Sequence, residues 1–359
     1  MSEALQRVTP ELPPGPVTGP SAWTGDEMRQ RRDWLYAFSA DELTEIDAAI
    51  VSFRASGRQL GEISTVNFPL PNLRAKLKVV LHELLEGRGF VQFRGFDVRG
   101  RPVAETAIAY LGLGSHFGDF RSQNAAGHLL GHVKDLGLDI RNPTTRYYQT
   151  TRGLEFHTDS CDVVGLVCLQ TAKSGGESRI CSSTTVYNEM LRRRPDLVPL
   201  LFNSFPSDRR GEVPPGAKPW TEIPVFHWHA GQLSMIYSGQ YIRSAQENFP
   251  AARRLSPAEM EALDMIDALA CEPAINLGIE FLPGDMQFVH NHTVMHSRTD
   301  FEDWPEPERR RHLMRLWLAP RGARPLPAVY ADRYGSLTPG DRGGIVVEGT
   351  ILQFVLAAG

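Results

Sequence analysis

The chain is 359 residues long, 42% hydrophobic and 22% charged, the balance of a folded globular protein with room for a large core. Its 38 basic and 42 acidic residues leave a formal charge of -4, which carries no electrostatic footprint for nucleic acid or a membrane surface and directs attention to a small-molecule partner. Four cysteines, Cys161, Cys168, Cys181 and Cys271, show neither CxxC spacing nor scaffold density, so all four are expected as small buried thiols of a reduced, cytoplasmic protein.

In chain order, Pro10, Pro13, Pro14, Pro16 and Pro20 stiffen the opening segment, and residues 1–25 are expected as an extended, Pro-rich arm ahead of a single domain over 26–359. No basic start leads into an apolar segment, and no run of ~18 apolar residues occurs, which argues against export and against a membrane span. Apolar residues at helical spacing predict helices over 40–56 and 72–89, the second stopped by Gly87 and Gly89. "FVQFRGF" then alternates as a strand, and "PVAETAIAYLGLG" is helical again. The following "GLGSHFG" is not a GxGxxG loop and is set aside. Strands and loops are expected to dominate from about 128 to 241. A helix over 256–272 starts at Ser256, with Glu259 as its capping-box partner. Strand patterns return in "INLGIEFLPGDMQFVHN" and "RHLMRLWLAP". Helices flanking a strand-rich body predict a mainly β fold, a sandwich or jelly roll wrapped by helices, rather than an alternating parallel α/β protein.

The chemistry concentrates in two places. In "FHTDSCD", an extended backbone puts His157 and Asp159 on one face and turns Thr158 away, which presents a nitrogen and a carboxylate together. A surface loop with Asp159 in an Asx turn would account for the same letters. The segment 283–318 holds His290, His292, His296 and His312, with a turn at Pro283–Asp285 and another at Asn291. Two histidines and a carboxylate with open positions suit non-haem Fe(II). Zinc competes, because "HTVMH" has helical i, i+4 spacing, although it lacks the glutamate that a zinc protease uses as base. Arg311 and Arg315 lie in an apolar strand, where a guanidinium must find an anion, and a carboxylate matches its fork. Arg309 and Arg310, beside Glu306 and Glu308, are expected as a solvated cluster, His290 and His292 as a satisfied turn pair, and His227 and His229 as wall residues of a sheet.

Taken together and in order, "FHTDSCD", "SGGESRICSS", "LPGDMQFVHNHTVMHSRTDF" and "RRRHLMRLWL" resemble the TauD/TfdA-like (clavaminate-synthase-like) Fe(II)/2-oxoglutarate-dependent dioxygenases, specifically over about 150–320 and more weakly from about 72. The resemblance implies a double-stranded β-helix, with Fe(II) held by His157, Asp159 and His296. It also implies 2-oxoglutarate as cosubstrate, gripped by Arg311 and hydrogen-bonded by Ser178, with Arg315 near the substrate or the same carboxylate. O2 would be consumed, succinate and CO2 released, and an unactivated C–H bond of a small molecule hydroxylated or otherwise oxidised; Arg315 itself points to an amino-acid-like or otherwise acidic substrate. Because Asp159 keeps its carboxylate, the site is not built like that of a halogenase. By position in the resemblance, Gln123, Tyr147, Tyr148 and Tyr241 are expected in the substrate pocket. A zinc-dependent hydrolase and a non-catalytic cupin-like binding protein are the alternatives.

Overall fold

In the computed structural model, which describes residues 11–142 and 145–357, two sheets pack face to face and each is covered outside by helices. The strands that build them are β1 (Leu35–Ala37), β2 (Phe90–Arg94), β3 (Asp119–Arg121), β4 (His128–Lys134), β5 (Leu154–His157), β6 (Val163–Gln170), β7 (Ser178–Ser182), β8 (Asn276–Ile279), β9 (Met286–His290), β10 (Val294–Arg298), β11 (His312–Ala319) and β12 (Gln353–Phe354). The larger sheet runs β1-β2-β9-β6-β11-β4-β12, with β3 pairing β11, and the smaller runs β8-β7-β10-β5. All pairs are antiparallel except β1 with β2 and β4 with β12. This is a jelly-roll, or double-stranded β-helix, core.

Strand β11 is buried on both of its faces, which is why "LMRLWL" is apolar at every position except Arg315. Met314, Leu316 and Leu318 of β11 face a helical layer that includes α2 (Ala40–Ala55), α3 (Leu73–Leu85) and α4 (Val103–Gly114). Arg315 and Trp317 point the other way, into the space between the sheets, where Trp317 packs with Val164, Val289, Ile180 and Val294. On the smaller sheet, Phe156 and Met295 face α5 (Ser183–Arg193) and α7 (Pro257–Cys271), so their neighbours His157 and His296 turn inward. The fold therefore aims both histidines and both β11 residues at one interior.

Several expectations are met and some are corrected. Ser256 and Glu259 form the capping box of α7 as read. The turn at Gly284 needs glycine: its φ is +94°, and a Cβ would lie 1.7 Å from the Phe96 carbonyl. Strand β2 is not alternating, because its first four residues are buried against neighbours on both sides. Helix α5 occupies a part of the chain read as strands and loops, and α6 (Gly239–Asn248) begins where that stretch ends. Cys271 is exposed, whereas Cys161, Cys168 and Cys181 are buried; it follows the buried Ala270 at the end of α7, one step around the helix toward solvent. Residues 1–10 of the expected arm lie outside the described residues. Its later part is docked: Val17 exchanges two hydrogen bonds with Asn188, and the Trp23 indole donates to the Arg88 carbonyl.

His290 and His292 are fully buried in the turn between β9 and β10. His290 Nδ1 bonds Thr293 Oγ1 and His292 Nε2 lies 2.7 Å from Asp162 Oδ1, but His290 Nε2 and His292 Nδ1 are buried without a partner among the described residues, so the pair expected to be satisfied is bonded through only one nitrogen of each ring. Asp162 also receives Nε and Nη2 of the fully buried Arg342, and this pair pins the segment after β11 onto the core. Breaking a buried pair leaves an uncompensated charge. Arg342→Ala is therefore expected to lower the free energy of unfolding by about 3–5 kcal/mol, read as a lower urea midpoint; an unchanged midpoint would contradict this role.

Candidate metal centre

Strands β5 and β10 are antiparallel neighbours, and their register sets His157 directly opposite His296, with ring centroids 4.2 Å apart. Past the end of β5 the chain is clamped. Thr158 donates its N–H to the Tyr237 carbonyl and accepts the Tyr237 N–H on Oγ1, while the Asp159 N–H donates to Asn291 Oδ1. Thr158 is thus turned away, and Asp159 returns to the face of His157. Its Oδ1 lies 3.7 Å from His157 Nε2 and its Oδ2 lies 3.8 Å from His296 Nε2, too far for hydrogen bonds. One donor atom from each residue lies within 4.8 Å of the other two.

Protonation states favour a cation. Burial pushes the imidazoles of His157 and His296 down, the latter to about 3, so both are neutral. His157 Nδ1 sits 2.8 Å from the Glu155 carbonyl, which can only accept, so the proton is on Nδ1 and Nε2 keeps its lone pair. Burial alone would raise Asp159. The cationic Arg315 foremost, with the Trp317 N–H, opposes this, and the carboxyl is held below the ordinary range. Two neutral nitrogens and an ionised carboxylate, mutually unbonded, fit a divalent ion with affinity for nitrogen and oxygen. The "HTVMH" segment is a turn entering a strand rather than a helix, and His292 is taken by Asp162, so the i, i+4 zinc arrangement is not made.

Two cavities meet here. The smaller, about 50 Å³, is lined by His296, Ser178, Arg298, Arg311 and Arg315 among others. Arg311 is 4% exposed, its Nη1 has no hydrogen-bond partner, and no carboxylate lies in salt-bridge contact with it among the described residues. Burial pulls its pKa down to about 10. Arg298, unflagged in the sequence, repeats the pattern: Nη2 donates to the carbonyls of Thr150 and Arg152, but Nε and Nη1 are buried and unpartnered. Burial and the Arg311 charge pull it down to about 9. Two buried guanidiniums beside a metal-type donor set, neither of them in salt-bridge contact with a carboxylate among the described residues although Asp303 accepts the Arg311 backbone N–H nearby, form a cradle for an anion. Gly176 of "SGGES" makes room: at φ +71° its Cβ would come within 3.1 Å of Arg311 Nε. Spacing was the available signal for Arg298, since it is i+2 from His296 on one strand face.

The larger cavity, about 390 Å³, collects Gln123, Tyr147, Tyr148, Tyr241 and Arg315, together with His157 and Asp159. His157, Tyr148, Leu154 and Arg315 line both cavities. Arg315 differs from the free anion receptor expected of it. Its Nε donates to Gln123 Oε1 at 2.7 Å, its Nη1 lies 3.4 Å from Asp159 Oδ2, and its guanidinium sits against Tyr148 and Trp317. Gln123 is correspondingly a brace, whose Nε2 also donates to the Arg315 carbonyl. Trp317, missed in the sequence although it is i+2 from Arg315, donates Nε1–H to Asp159 Oδ2 at 2.8 Å. His227 is buried against Tyr330 in a hairpin, His229 is half-buried beside it, and neither belongs to the donor set.

The sequence profile of the taurine catabolism dioxygenase TauD, TfdA family matches residues 53–317. FR-33289 synthase of Streptomyces rubellomurinus (strain ATCC 31215) is 30% identical over 326 residues, which cover 89% of this chain and 95% of that protein. A taurine hydroxylase-like protein of Stachybotrys chartarum (strain CBS 109288 / IBT 7711) is 28% identical over 84% of this chain and 79% of its own. Among solved structures, an asparagine oxygenase in complex with Fe(II), 2S,3S-3-hydroxyasparagine and succinate superposes with a TM-score of 0.62 over 79% of this chain and 93% of its own, at 14% identity.

Proposed function

The chain belongs to the TauD, TfdA family and is a non-haem iron(II)- and 2-oxoglutarate-dependent dioxygenase; from that premise we propose which side chains serve the reaction and what substrate they take. His157, Asp159 and His296 would hold the iron, and Arg311 and Ser178 would hold the far carboxylate of 2-oxoglutarate, with Arg298 alongside. Iron(II), 2-oxoglutarate and O2 together supply the oxidising power that replaces a C–H hydrogen by hydroxyl, with release of succinate and CO2.

The protein's share is positioning and exclusion of water. The Asn291 amide oxygen and the Trp317 N–H fix the Asp159 carboxylate. Arg315 and Tyr148 stand between the two cavities, so cosubstrate and substrate approach the donor set from different sides. Gln123, Tyr147, Tyr148 and Tyr241 would contact the substrate or brace what does. The substrate we infer is small and charged, amino-acid-like or otherwise acidic, supported by the arginine-rich cavity and by a structural neighbour that holds a hydroxylated amino acid. Neither nucleic acid nor a membrane is an expected partner of a chain with net charge -4, and among the described residues no helix is long and apolar enough to cross a membrane. Three buried free thiols support a cytoplasmic setting. Strands contributed from Leu35 to Phe354 support one catalytic domain over 26–359 behind the arm of residues 1–25.

The observation that carries the reading is the placement of the His-Asp-His donor set beside an unpartnered buried Arg311. Anaerobic addition of Fe(II) and then 2-oxoglutarate is expected to produce a weak visible charge-transfer band. Tight zinc binding with no such band would sink the assignment.

A further inference from the structure

The family match ends at residue 317, yet one wall of the 390 Å³ cavity comes from the chain beyond it, including Arg333, Tyr334, Gly343 and Gly344. This wall is built onto the loop that carries Asp159. Ser160 accepts the Gly344 N–H on its carbonyl and Arg333 Nε on its hydroxyl at 2.7 Å. Gly343, at φ +76°, approaches so closely that a Cβ would lie 2.8 Å from the Ser160 carbonyl oxygen. Arg333 is therefore strapped to the residue next to a metal-type ligand.

Charge bookkeeping around the cavity singles it out. Arg121 pairs with Asp341, Arg146 with Glu212, Arg209 with Asp332, and Arg315 lies 3.4 Å from Asp159. Among the described residues Arg333 has no carboxylate in salt-bridge contact, and Ser160 takes one donor of a five-donor fork. A half-buried guanidinium with donors to spare at the wall of a cavity is a receptor for an oxyanion.

We propose that Arg333 is a positioning residue for the substrate: it binds an oxyanionic group, a carboxylate or a phosphonyl or phosphoryl group, and thereby sets which carbon faces the metal. The proposal rests on the reading above that this cavity takes the substrate. It assigns specificity to a segment outside the family's shared region, while the interior arginines serve the common chemistry.

The test uses the full chain loaded anaerobically with Fe(II) and saturating 2-oxoglutarate, titrated calorimetrically with acetate and with methylphosphonate. At least one anion is expected to bind the wild type, the tighter of the two naming the planar or the tetrahedral group. Arg333→Gln is expected to weaken that binding roughly tenfold or more, and Arg333→Lys, which keeps the charge without the fork, to weaken it less. Affinity for 2-oxoglutarate is expected to be the same in all three, and Arg309→Gln, on the exposed surface, to match the wild type. Equal anion affinity in wild type and Arg333→Gln would overturn the proposal. So would a wild type that binds 2-oxoglutarate but neither anion, which would leave the dioxygenase reading standing. A parallel loss of 2-oxoglutarate affinity in Arg333→Gln would reassign the residue to the cosubstrate, and a wild type that fails to bind 2-oxoglutarate at all would sink both readings.

Discussion

Replacing His296 with alanine is expected to abolish iron retention and turnover while leaving the fold intact. His296 supplies one of three donors within 4.8 Å of one another, and its Nε2 makes no hydrogen bond that folding would lose. Asp159 keeps its Trp317 N–H at 2.8 Å and its contact with Arg315, so the carboxylate is not stranded when the imidazole goes. The metal loses a direct bond. Loss of a partner one bond removed from a metal typically costs about 10–100-fold in affinity, so loss of a ligand is expected to exceed about 100-fold. Anaerobic equilibrium dialysis against Fe(II) reads this directly, and urea unfolding of the metal-free protein checks the fold. A variant that retains iron at near wild-type affinity would remove His296 from the site.

How far this site could be read from letters depends on contrast. His157 and Asp159 were legible because strand spacing brings i and i+2 together, and Arg315 because a charge stands out in an apolar run; Arg311, expected on the same strand, lies just ahead of it in "ERRRH", where only its place in the motif marks it. Arg298 is as buried as they are, yet "HSRTD" is polar text, and a buried cation among polar letters has no contrast to betray it. Arg333 and Arg342 were invisible for a related reason. They lie in a segment rich in Gly, Pro and Asp without helical or strand period, so that neither a cavity wall nor a fully buried ion pair leaves a pattern. Helix α5 was hidden by its own start: "SSTT" reads as strand or loop, although Ser182 accepts the Thr185 N–H and caps the helix. The two-sheet core was legible from helical segments flanking a strand-rich body, but Arg315 was half misread. Sequence shows that a buried arginine needs a partner and not that Gln123 and Asp159 already stand beside it.

Arg311→Met is expected to move stability and cosubstrate affinity in opposite directions. Without 2-oxoglutarate the buried guanidinium has an unpartnered Nη1 and lies close enough to Arg298 to depress its proton affinity. Methionine keeps much of the apolar stem and removes the charge, so the cosubstrate-free variant is expected to be more stable, by about 1–4 kcal/mol, the range seen when buried charges give way to apolar groups. Binding should suffer the reverse. Losing a buried, bidentate contact to a carboxylate costs about 3–5 kcal/mol, which converts to a dissociation constant for 2-oxoglutarate raised on the order of 100-fold or more. Linkage sharpens the comparison: at a concentration about 100 times its dissociation constant, 2-oxoglutarate adds about 2.7 kcal/mol to the wild type, but to a variant binding about 100-fold more weakly it adds only RT ln 2, about 0.4 kcal/mol. Urea unfolding of the iron-loaded protein, with and without cosubstrate, reads both effects in one experiment. A merely structural arginine would give lower stability in the variant and an undiminished response to 2-oxoglutarate. Higher stability with a lost response is the outcome that an anion receptor requires.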